Sequence, residues 1–292
     1  MSNKQILTIL VLGANGMLGN AVLRWFSRQE RFNVVGSVRH ARGIDVLQPL
    51  APSARLVSGV DVENLDSLTR LFAQARPDVV INCIGLIKQL AEADDPLSVL
   101  PLNALLPHRL DLLSRAAGAR LVHVSTDCVF SGSRGNYHES DRPDADDLYG
   151  RSKLLGEVTA SASAITLRTS IIGRELGSAH ALVNWFLSQK TGINGYTRAV
   201  FSGVPTVELA RIIDQHVLPD PGLAGLYHVS AEPIDKCSLL QLVAKEYGHR
   251  IPITPSDEVK IDRSLDSSRF RSATGYRPDS WPELVRRMRE FA

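Results

Sequence analysis

The sequence predicts an α/β protein with a doubly wound parallel sheet and a smaller C-terminal lobe. Short apolar runs recur through the first half, amphipathic stretches separate them, and the pattern becomes irregular after residue 172. Strands covered by helices on both sheet faces have no solvent side, so they lose the alternation of apolar and polar residues. The predicted domains are residues 1–172 and residues 173–292, the second returning in part to the first.

The individual elements follow from apolar runs and from the turn formers or prolines that bound them. Strands are predicted at 6–13, 33–38, 54–60, 78–85, 119–126 and 164–172. Helices are predicted between them at 17–28, 62–75, 101–117 and 148–161. The C-terminal lobe is predicted to contain helices at 179–189, 207–217, 238–247 and 282–291, and a short strand at 226–230.

Composition and charge are those of an ordinary globular protein. The chain has 292 residues, of which 44% are hydrophobic and 22% charged, and its formal net charge is +2. These values fit neither a disordered nor a fibrous protein, and no basic tract resembles a nucleic-acid-binding surface. A membrane helix needs about 18 or more consecutive apolar residues, and no such run occurs. Neither a nucleic-acid partner nor a membrane is expected.

The cysteines and histidines carry no metal or disulfide pattern. Cys83, Cys128 and Cys237 are odd in number and widely spaced, which indicates reduced thiols. His123 lies inside a predicted strand and is expected to be a core residue, and no HExxH or Cys/His spacing occurs. The N-terminal apolar run lacks a signal-peptide cleavage site and leads into a glycine motif. We expect a cytoplasmic protein without a catalytic metal.

A glycine motif, Gly13-Ala-Asn-Gly16-Met-Leu-Gly19, follows the first predicted strand and opens the first helix. At such a turn small residues let the backbone approach a pyrophosphate, and the helix N-terminus supplies N–H groups and positive potential. A tight turn without a ligand is the alternative interpretation. The position on the first strand of a repeated βα pattern favours a dinucleotide site in a Rossmann-type sheet.

Tyr149 and Lys153 stand four residues apart in the predicted helix at 148–161. Four residues rise about 6 Å and turn about 400°, so both side chains project from one helix face. A cation within about 4 to 6 Å lowers the pKa of a tyrosine by one to three units, which would make the phenol a better proton shuttle. A solvent-exposed helix face is the alternative interpretation of such a pair.

Hydroxyl side chains stand where the fifth predicted strand ends, at Ser125 and Thr126. Open α/β sheets bind ligands outside the carboxyl ends of their strands, so these hydroxyls are placed to donate to a substrate oxygen. Capping of a loop is the alternative. Asp127, which follows them, is equally interpretable as a turn residue.

Together these motifs resemble the extended short-chain dehydrogenase/reductases, and within them the dTDP-4-dehydrorhamnose reductase group. The resemblance also covers segments in nearly the whole chain. They are STDCVFSG at 125–132, LLGE at 154–157, LRTS at 167–170, RPDVVIN at 76–82, Asn103 and LDSSRF at 265–270. It implies a Rossmann-type fold, a nicotinamide cofactor and a sugar-nucleotide substrate.

Carried over by position, the resemblance implies that Tyr149 is the catalytic acid, Lys153 its electrostatic partner and ribose ligand, and Thr126 the donor that polarises the carbonyl. The remaining cofactor contacts that it implies are grouped by part of the dinucleotide. They are Gly13, Asn15, Gly16, Met17 and Leu18 at the pyrophosphate, Arg39, Asp61 and Val62 at the adenosine, Cys83, Ile84 and Gly85 along the cofactor, and Asn103 beside it.

Substrate contacts are expected from two regions. Ser125, Thr126 and Asp127 are the candidates beside the reacting carbonyl, and Asn184 and Trp185, with the stretch 196–206, are the candidates in the second lobe. Related sugar-nucleotide dehydratases usually carry an Asp-Glu pair after the threonine, whereas Thr126 is followed by Asp127 and Cys128. Without that glutamate, simple carbonyl reduction is favoured over elimination of water. Cys128 also replaces an aromatic residue that is common in this reductase group.

Three functions compete. The leading hypothesis is NAD(P)H-dependent reduction of the C4 ketone of a nucleotide-linked 4-keto-6-deoxy sugar, in deoxysugar or surface-polysaccharide biosynthesis. The second is an NAD-dependent sugar-nucleotide epimerase. The third is a non-catalytic subunit similar to the regulatory subunit of methionine adenosyltransferase, because fold alone does not determine function.

The second predicted strand leads to Arg39 and not to an aspartate or glutamate. An acidic residue there would bind the ribose 2′-hydroxyl, whereas a guanidinium pairs with a 2′-phosphate, so NADPH is expected to be preferred while NADH is also accepted. Arg39 packing along the adenine by its stem is the alternative. The expected partners are a nucleoside-diphosphate sugar and a second copy of the chain.

Overall fold

Six strands alternate with helices through the first part of the chain. The computed structural model describes residues 6–88 and 91–292. The strands are β1 (Leu7–Leu12), β2 (Phe32–Ser37), β3 (Arg55–Val57), β4 (Val79–Asn82), β5 (Arg120–Thr126) and β6 (Ala164–Thr169). The helices are α1 (Met17–Ser27), α2 (Arg42–Leu47), α3 (Leu65–Ala75), α4 (Pro96–Leu100), α5 (Leu106–Ala116) and α6 (Leu148–Leu155). A π-helical turn at Pro101–Leu105 joins α4 to α5.

The second part of the chain has shorter strands and packs helices back onto the first part. Its strands are β7 (Ile171–Ile172), β8 (Ile193–Phe201), β9 (Val204–Pro205), β10 (Gly225–His228), β11 (Ile234–Asp235) and β12 (Ile253–Asp262). Its helices are α7 (Leu182–Ser188), α8 (Thr206–Ile212), α9 (Lys236–Tyr247), α10 (Ser268–Thr274) and α11 (Trp281–Phe291).

The central sheet has seven parallel strands in the order β10-β6-β5-β4-β1-β2-β3. The predicted fold class is therefore confirmed. Chain order reverses between β1 and β4, and the crevice outside the carboxyl ends of those strands is where such sheets bind ligands. Strand β10 lies at the edge of this sheet although it follows residue 172, whereas β11, β8 and β12 form a separate sheet.

Both faces of the sheet are buried. In β1, Ile9 and Val11 belong to one apolar cluster and Leu10 and Leu12 to the other, and all four side chains are fully buried. Successive residues of a strand point to opposite faces, so this strand needs apolar residues at every position. Helix α1 covers the first face, with α8 packed on α1 and α11 on α8, and α3 and α5 cover the second. None of the helices described is long and apolar enough to cross a membrane.

Several element bounds differ from the prediction. Helix α6 ends at Leu155, not at residue 161, because Gly156 caps it and packs closely on another backbone: a Cβ on Gly156 would lie 2.0 Å from the Asn103 carbonyl oxygen. The helical run around α5 starts earlier than predicted, at Pro96, where Asp95 caps α4 by accepting from the Leu97 amide. The predicted strand at 164–172 is interrupted at Ser170, between β6 and β7.

Candidate active site

The glycine turn after β1 fits a bound dinucleotide. Gly13 has a φ of +73°, and a Cβ on Gly19 would lie 2.0 Å from the Gly13 carbonyl oxygen, so the turn depends on glycine at both positions. Gly16 is the N-cap of α1 and supplies no side chain to the first-turn amides. Those N–H groups therefore face the crevice with their positive potential available to an anion.

Four segments of the chain come together around this turn. A Cβ on Gly13 would lie 2.8 Å from Ile84 Cγ1 and 3.4 Å from the carbonyl oxygen of Cys83, which places the segment after β4 against the glycine turn. A Cβ on Gly85 would lie 3.3 Å from Asn103 Oδ1 and 3.8 Å from Lys153 Nζ. Glycine turn, β4 loop, π-helical turn and α6 thus share one crevice.

The residues predicted for the adenosine half follow the next two strands of the sheet, β2 and β3. Arg39 follows β2 and is exposed. Asp61 is also exposed, and its side chain accepts from the Glu63 amide within the turn before α3, while Val62 is half-buried against the core. In the glycine turn, Asn15 is exposed, Met17 is half-buried and Leu18 is buried.

Thr126 and Tyr149 meet at the carboxyl end of β5. Thr126 Oγ1 accepts from the Cys128 amide at 3.1 Å and donates to Asp127 Oδ1 at 3.2 Å, in a 3₁₀ turn that spans Asp127–Val129. Gly150 lets α6 approach this turn, because a Cβ there would lie 2.3 Å from the Cys128 carbonyl oxygen. The close approach brings the Tyr149 phenol near the Thr126 hydroxyl, which affects the pKa of the phenol.

The pKa of Tyr149 is raised above its ordinary value, opposite to the lowering expected from Lys153. Burial is the main cause of the rise, the ionised forms of Cys128, Asp127 and Asp147 would add to it, and the nearby Thr126 hydroxyl opposes it. The Lys153 ammonium instead donates to the Val124 carbonyl oxygen at 2.9 Å. In this arrangement the phenol stays protonated at neutral pH, which suits a proton donor.

Lys153 is a buried cation, with only 5% of its surface exposed. Burial lowers its pKa to about 8, and the Glu157 carboxylate opposes that lowering. An ammonium with this pKa is mostly charged at neutral pH but discharges within the mildly alkaline range.

Ser125 points away from Thr126, as neighbouring residues of a strand do. Its hydroxyl donates to Glu157 Oε1 at 2.7 Å, and Arg168 on β6 holds the same carboxylate through Nε and Nη2, each at 2.7 Å. The Ser125 hydroxyl hydrogen is therefore already used inside the core, whereas it was predicted to bind substrate.

Of the two substrate-binding candidates on α7, one has its side chain engaged in hydrogen bonds within the protein and the other has an exposed side chain. Asn184 uses its whole amide locally, because Oδ1 accepts from the Glu175 amide and Nδ2 donates to the carbonyl oxygens of Glu175 and Ser178. It fixes the loop before α7. Trp185 is 38% exposed and its ring is available to a ligand.

Arg263 is a site residue that the sequence did not indicate. It follows β12, and its Nε donates to the Phe130 carbonyl oxygen at 2.8 Å across 133 residues of sequence. Its charge opposes the rise in the pKa values of Asp127 and Cys128 that burial causes, and the bond to Phe130 places the guanidinium beside the catalytic turn. No local sequence spacing relates Arg263, at the end of a second-lobe strand, to that turn. The one sequence feature that could have indicated Arg263 is its position just before the segment at 265–270, which resembles the family.

Burial raises the pKa values of the carboxyl and thiol groups near the turn. Burial raises the pKa of Asp127, and the Arg263 charge and the hydrogen bond from Thr126 oppose that rise. Burial also raises the pKa of Cys83, and it raises the pKa of Cys128 to about 12, so both are neutral thiols at neutral pH. Within residues 6–88 and 91–292, no three His, Cys, Asp or Glu side chains are grouped as metal ligands would be.

The strand order, the glycine turn and the approach of α6 to the end of β5 are the arrangement that the resemblance to the extended short-chain dehydrogenase/reductases implies. A family match confirms that class of oxidoreductase. The chain belongs to the family described as RmlD substrate binding domain, whose model matches residues 7–288.

Similar proteins include both reductases and a regulatory subunit. Methionine adenosyltransferase 2 subunit beta of Mus musculus is 26% identical over 95% of this chain and 88% of its own length. The probable low-salt glycan biosynthesis reductase Agl14 of Haloferax volcanii is 28% identical over 76% of this chain and 74% of its own length. The crystal structure of dTDP-4-dehydrorhamnose reductase from Bacillus anthracis, in complex with NADP, matches with a TM-score of 0.78 at 19% identity and covers 100% of both chains.

Proposed function

We propose that this protein uses a reduced nicotinamide cofactor to reduce the C4 ketone of a nucleotide-linked 4-keto-6-deoxy sugar. The observation that carries the proposal is the close approach of α6, with Tyr149 and Lys153, to the turn after Thr126 at the carboxyl end of β5, beside the glycine cradle. When bound, the cofactor supplies the hydride. The names of the two reductases among the similar proteins support this chemistry.

Tyr149 donates the proton in this proposal, and Thr126 donates a second hydrogen bond to the same carbonyl oxygen. A tyrosine whose pKa is raised keeps its proton at neutral pH, so it is in the form that can donate to the carbonyl oxygen of the substrate. Asp127 accepts the Thr126 hydroxyl proton at 3.2 Å in the free site, so Thr126 must turn toward the substrate when it binds.

The residues that would hold the cofactor are those predicted from the sequence. The first-turn amides of α1 would bind the pyrophosphate, Lys153 the nicotinamide ribose, and the segment 83–85 would line the dinucleotide. We propose a preference for NADPH, because Arg39 is exposed after β2, where a 2′-phosphate would lie, and Arg42 at the start of α2 is exposed as well.

The substrate would lie between the catalytic turn and the second lobe. Arg263 belongs to the second lobe and places its positive charge beside the catalytic turn. We therefore propose that Arg263 binds the anionic diphosphate of the substrate. Trp185 has an exposed ring that could contact the nucleoside or the sugar. We propose that Ser125 and Asn184 do not contact the substrate but hold the neighbouring backbone in place.

A non-catalytic regulatory role is the second candidate, because the similarity to methionine adenosyltransferase 2 subunit beta extends over 95% of the chain. In that case the cofactor site would serve as a binding site and the Tyr149 proton would not be transferred. A binding subunit has no need for a buried cation and a protonated phenol at one crevice, which is why the reductase is preferred.

The test is a panel of dTDP-, UDP-, GDP- and CDP-linked 4-keto-6-deoxy sugars incubated with purified protein and NADPH. Oxidation of NADPH with formation of a 4-hydroxy sugar, seen by NMR, is expected for at least one nucleotide. Conversion without net oxidation of NADPH would indicate an epimerase. No turnover on any member, together with capture of a methionine adenosyltransferase catalytic subunit, would overturn the proposal in favour of the regulatory role.

A further inference from the structure

An ion pair joins the loop after β4 to the catalytic helix. Lys88 lies in this β4 loop, residues 83–88, and its Nζ donates to Asp147 Oδ2 at 2.7 Å. The two residues are 59 positions apart in the sequence. Asp147 is the N-cap of α6 and stands just before Tyr149 in the first turn. The pair therefore connects the loop to the start of the helix that carries Tyr149 and Lys153.

The Asp147 carboxylate is fixed by α6 itself. Its other oxygen, Oδ1, accepts from the Gly150 amide at 2.7 Å and so caps the helix. Burial would raise the pKa of Asp147, but the cap bond and the Lys88 ammonium lower it below its ordinary value, so the carboxyl group is ionised at neutral pH. Exposed ion pairs are usually weak because two flexible side chains must be ordered to form them. Here only the Lys88 side chain remains to be ordered.

The β4 loop lies between the glycine turn and α6. At its start Ile84 packs on the glycine turn, and a Cβ on Gly85 would lie 3.8 Å from Lys153 Nζ. Asn103 bonds to the main chain in the middle of the loop, and the ion pair fixes its end at Lys88. A cofactor that meets both the glycine turn and Lys153 would therefore lie against this loop. Such a cofactor would leave more readily when the end of the loop is free.

We propose that Lys88 and Asp147 are positioning residues, which hold the β4 loop against the start of α6 and thereby slow the release of the nicotinamide cofactor. The inference rests on the proposed function in one respect, that the cofactor binds beside Lys153 and the β4 loop. It concerns neither the transferred proton nor the substrate, so cofactor release alone tests it.

The chain offers a matched ion pair on α9 and α11, outside the segments that form the crevice. Arg289 on α11 and Glu246 on α9 approach to 3.4 Å, and their side chains are 55% and 29% exposed. The side chains of Lys88 and Asp147 are 50% and 25% exposed. Both pairs join segments that are far apart in the sequence. Replacing Glu246 therefore tests the loss of an exposed ion pair as such, whereas replacing Asp147 tests the loss of the pair at the β4 loop.

The experiment measures the rate of NADPH release by stopped-flow fluorescence, with excess NADP⁺ added to prevent rebinding. Lys88→Met and Asp147→Asn should each release NADPH about two to five times faster than wild type, a factor of the size that exposed ion pairs contribute. Asparagine keeps an oxygen for the Gly150 amide, so α6 stays capped in that variant. Because each single change already breaks the pair, the double variant should release NADPH no faster than either single variant. Lys88→Arg should retain the wild-type rate.

Salt and the matched pair supply the controls. Because the pair is open to solvent, the difference in release rate between wild type and Lys88→Met should shrink in about 1 M salt. Glu246→Gln should release NADPH at the wild-type rate. Wild-type rates in both Lys88→Met and Asp147→Asn would overturn the proposal, and so would effects that multiply in the double variant or an equal acceleration in Glu246→Gln. Absence of NADPH and NADH binding by the wild-type protein would instead overturn the proposed function, and this inference with it.

Discussion

The side chain of Asn103 bonds to both main-chain groups of Leu86: Oδ1 accepts from the amide at 2.9 Å and Nδ2 donates to the carbonyl oxygen at 3.0 Å. Nδ2 also contacts Ser152 Oγ on α6 at 3.2 Å. Asn103 is 1% exposed and lies in the π-helical turn, where the widened backbone sets it against the β4 loop. Its two bonds to Leu86 resemble those of a neighbouring β-strand, and its bond to Ser152 connects the β4 loop to α6.

Replacing Asn103 by alanine should therefore weaken both the fold and the cofactor site. Leaving buried polar groups without partners costs about 1 to 3 kcal/mol, so urea unfolding should show a loss of that size. NADPH affinity should fall as well, because the loop at 83–86 lines the proposed site. Asn184→Ala is the matched control: its amide braces a different loop in the same pattern, so stability should fall while NADPH affinity is retained. Equal effects of both variants on NADPH affinity would contradict this role of Asn103.

Alanine substitutions at two glycines of the glycine turn, Gly19 and Gly16, should affect stability differently. In Gly19→Ala the added Cβ would lie 2.0 Å from the Gly13 carbonyl oxygen, and backbone atoms cannot move aside cheaply. A loss of stability of about 1 to 3 kcal/mol or more is expected, with loss of cofactor binding. In Gly16→Ala the nearest atom would be at 3.4 Å, so the fold should survive while the methyl group obstructs the approach of a pyrophosphate. Equal melting temperatures of the two variants would show that the turn is not packed as described.

Tyr149→Phe should lose most turnover and keep cofactor binding. The variant lacks the proton donor, and general acid catalysis is typically worth about 10² to 10⁴-fold, so kcat should fall by that order with NADPH affinity nearly unchanged. Because burial raises the pKa of Tyr149, the wild-type rate should not decline at mildly alkaline pH through ionisation of this phenol. Turnover within a factor of about three of wild type, on a substrate found in the panel, would remove Tyr149 from the catalytic role.

Most of the sheet could be predicted from the sequence because burial on both faces leaves an unmistakable apolar run, as in β1. The strands β8 and β12 were not predicted, because each has many exposed positions and β12 contains several charged residues. Their pairing joins segments that are far apart in the sequence, and no local pattern encodes that. Helix α6 was predicted too long because Gly156 stops it through a tertiary contact with Asn103.

The candidate site was predicted where a local motif carries it and missed where a tertiary contact does. Ser125 and Thr126 were treated as a pair, yet strand geometry sends them to opposite faces, and only Thr126 reaches Tyr149. The direction of the Tyr149 pKa was expected wrongly, since helical spacing places Lys153 on the same face but does not show that its ammonium bonds to the Val124 carbonyl oxygen. Arg263 became a candidate only once the end of β12 was seen to pack on the catalytic turn.

Arg39 should determine the choice between NADPH and NADH. A charge-assisted bond to the 2′-phosphate is worth about 1.5 kcal/mol or more, which corresponds to roughly tenfold, and less where the phosphate stays hydrated. In Arg39→Ala the ratio of kcat/KM for NADPH to that for NADH should fall by about that factor, or the ratio of the two dissociation constants if no substrate is found. Arg70→Ala, which removes an exposed arginine from α3, is the control and should leave the ratio as it is. An unchanged ratio in Arg39→Ala would show that its guanidinium does not contact the phosphate.

Lys153→Met should make the protein more stable at neutral pH while it weakens cofactor binding. The folded protein holds the pKa of Lys153 at about 8, below its ordinary value of 10.5, because burial disfavours the ammonium. The unfolded chain therefore binds more protons between those two pH values, so the free energy of unfolding of the wild-type protein rises with pH across that window and is lower below about pH 8. A shift of this size corresponds to about 3 kcal/mol, from which the lost hydrogen bond to Val124 subtracts about 1 kcal/mol.

The measurement is urea unfolding of wild type and Lys153→Met at several pH values from 7 to 10. The variant should be the more stable at pH 7, and its advantage should shrink as the pH rises past about 8, because only the wild-type protein gains stability there. Lys245→Met, at an exposed position on α9, is the control and should show no such convergence. NADPH affinity of Lys153→Met should be reduced at every pH. The contrary result is a variant that is less stable than wild type at pH 7 by an amount that stays constant across the pH range. It would mean that burial of the Lys153 ammonium does not lower the stability of the folded protein.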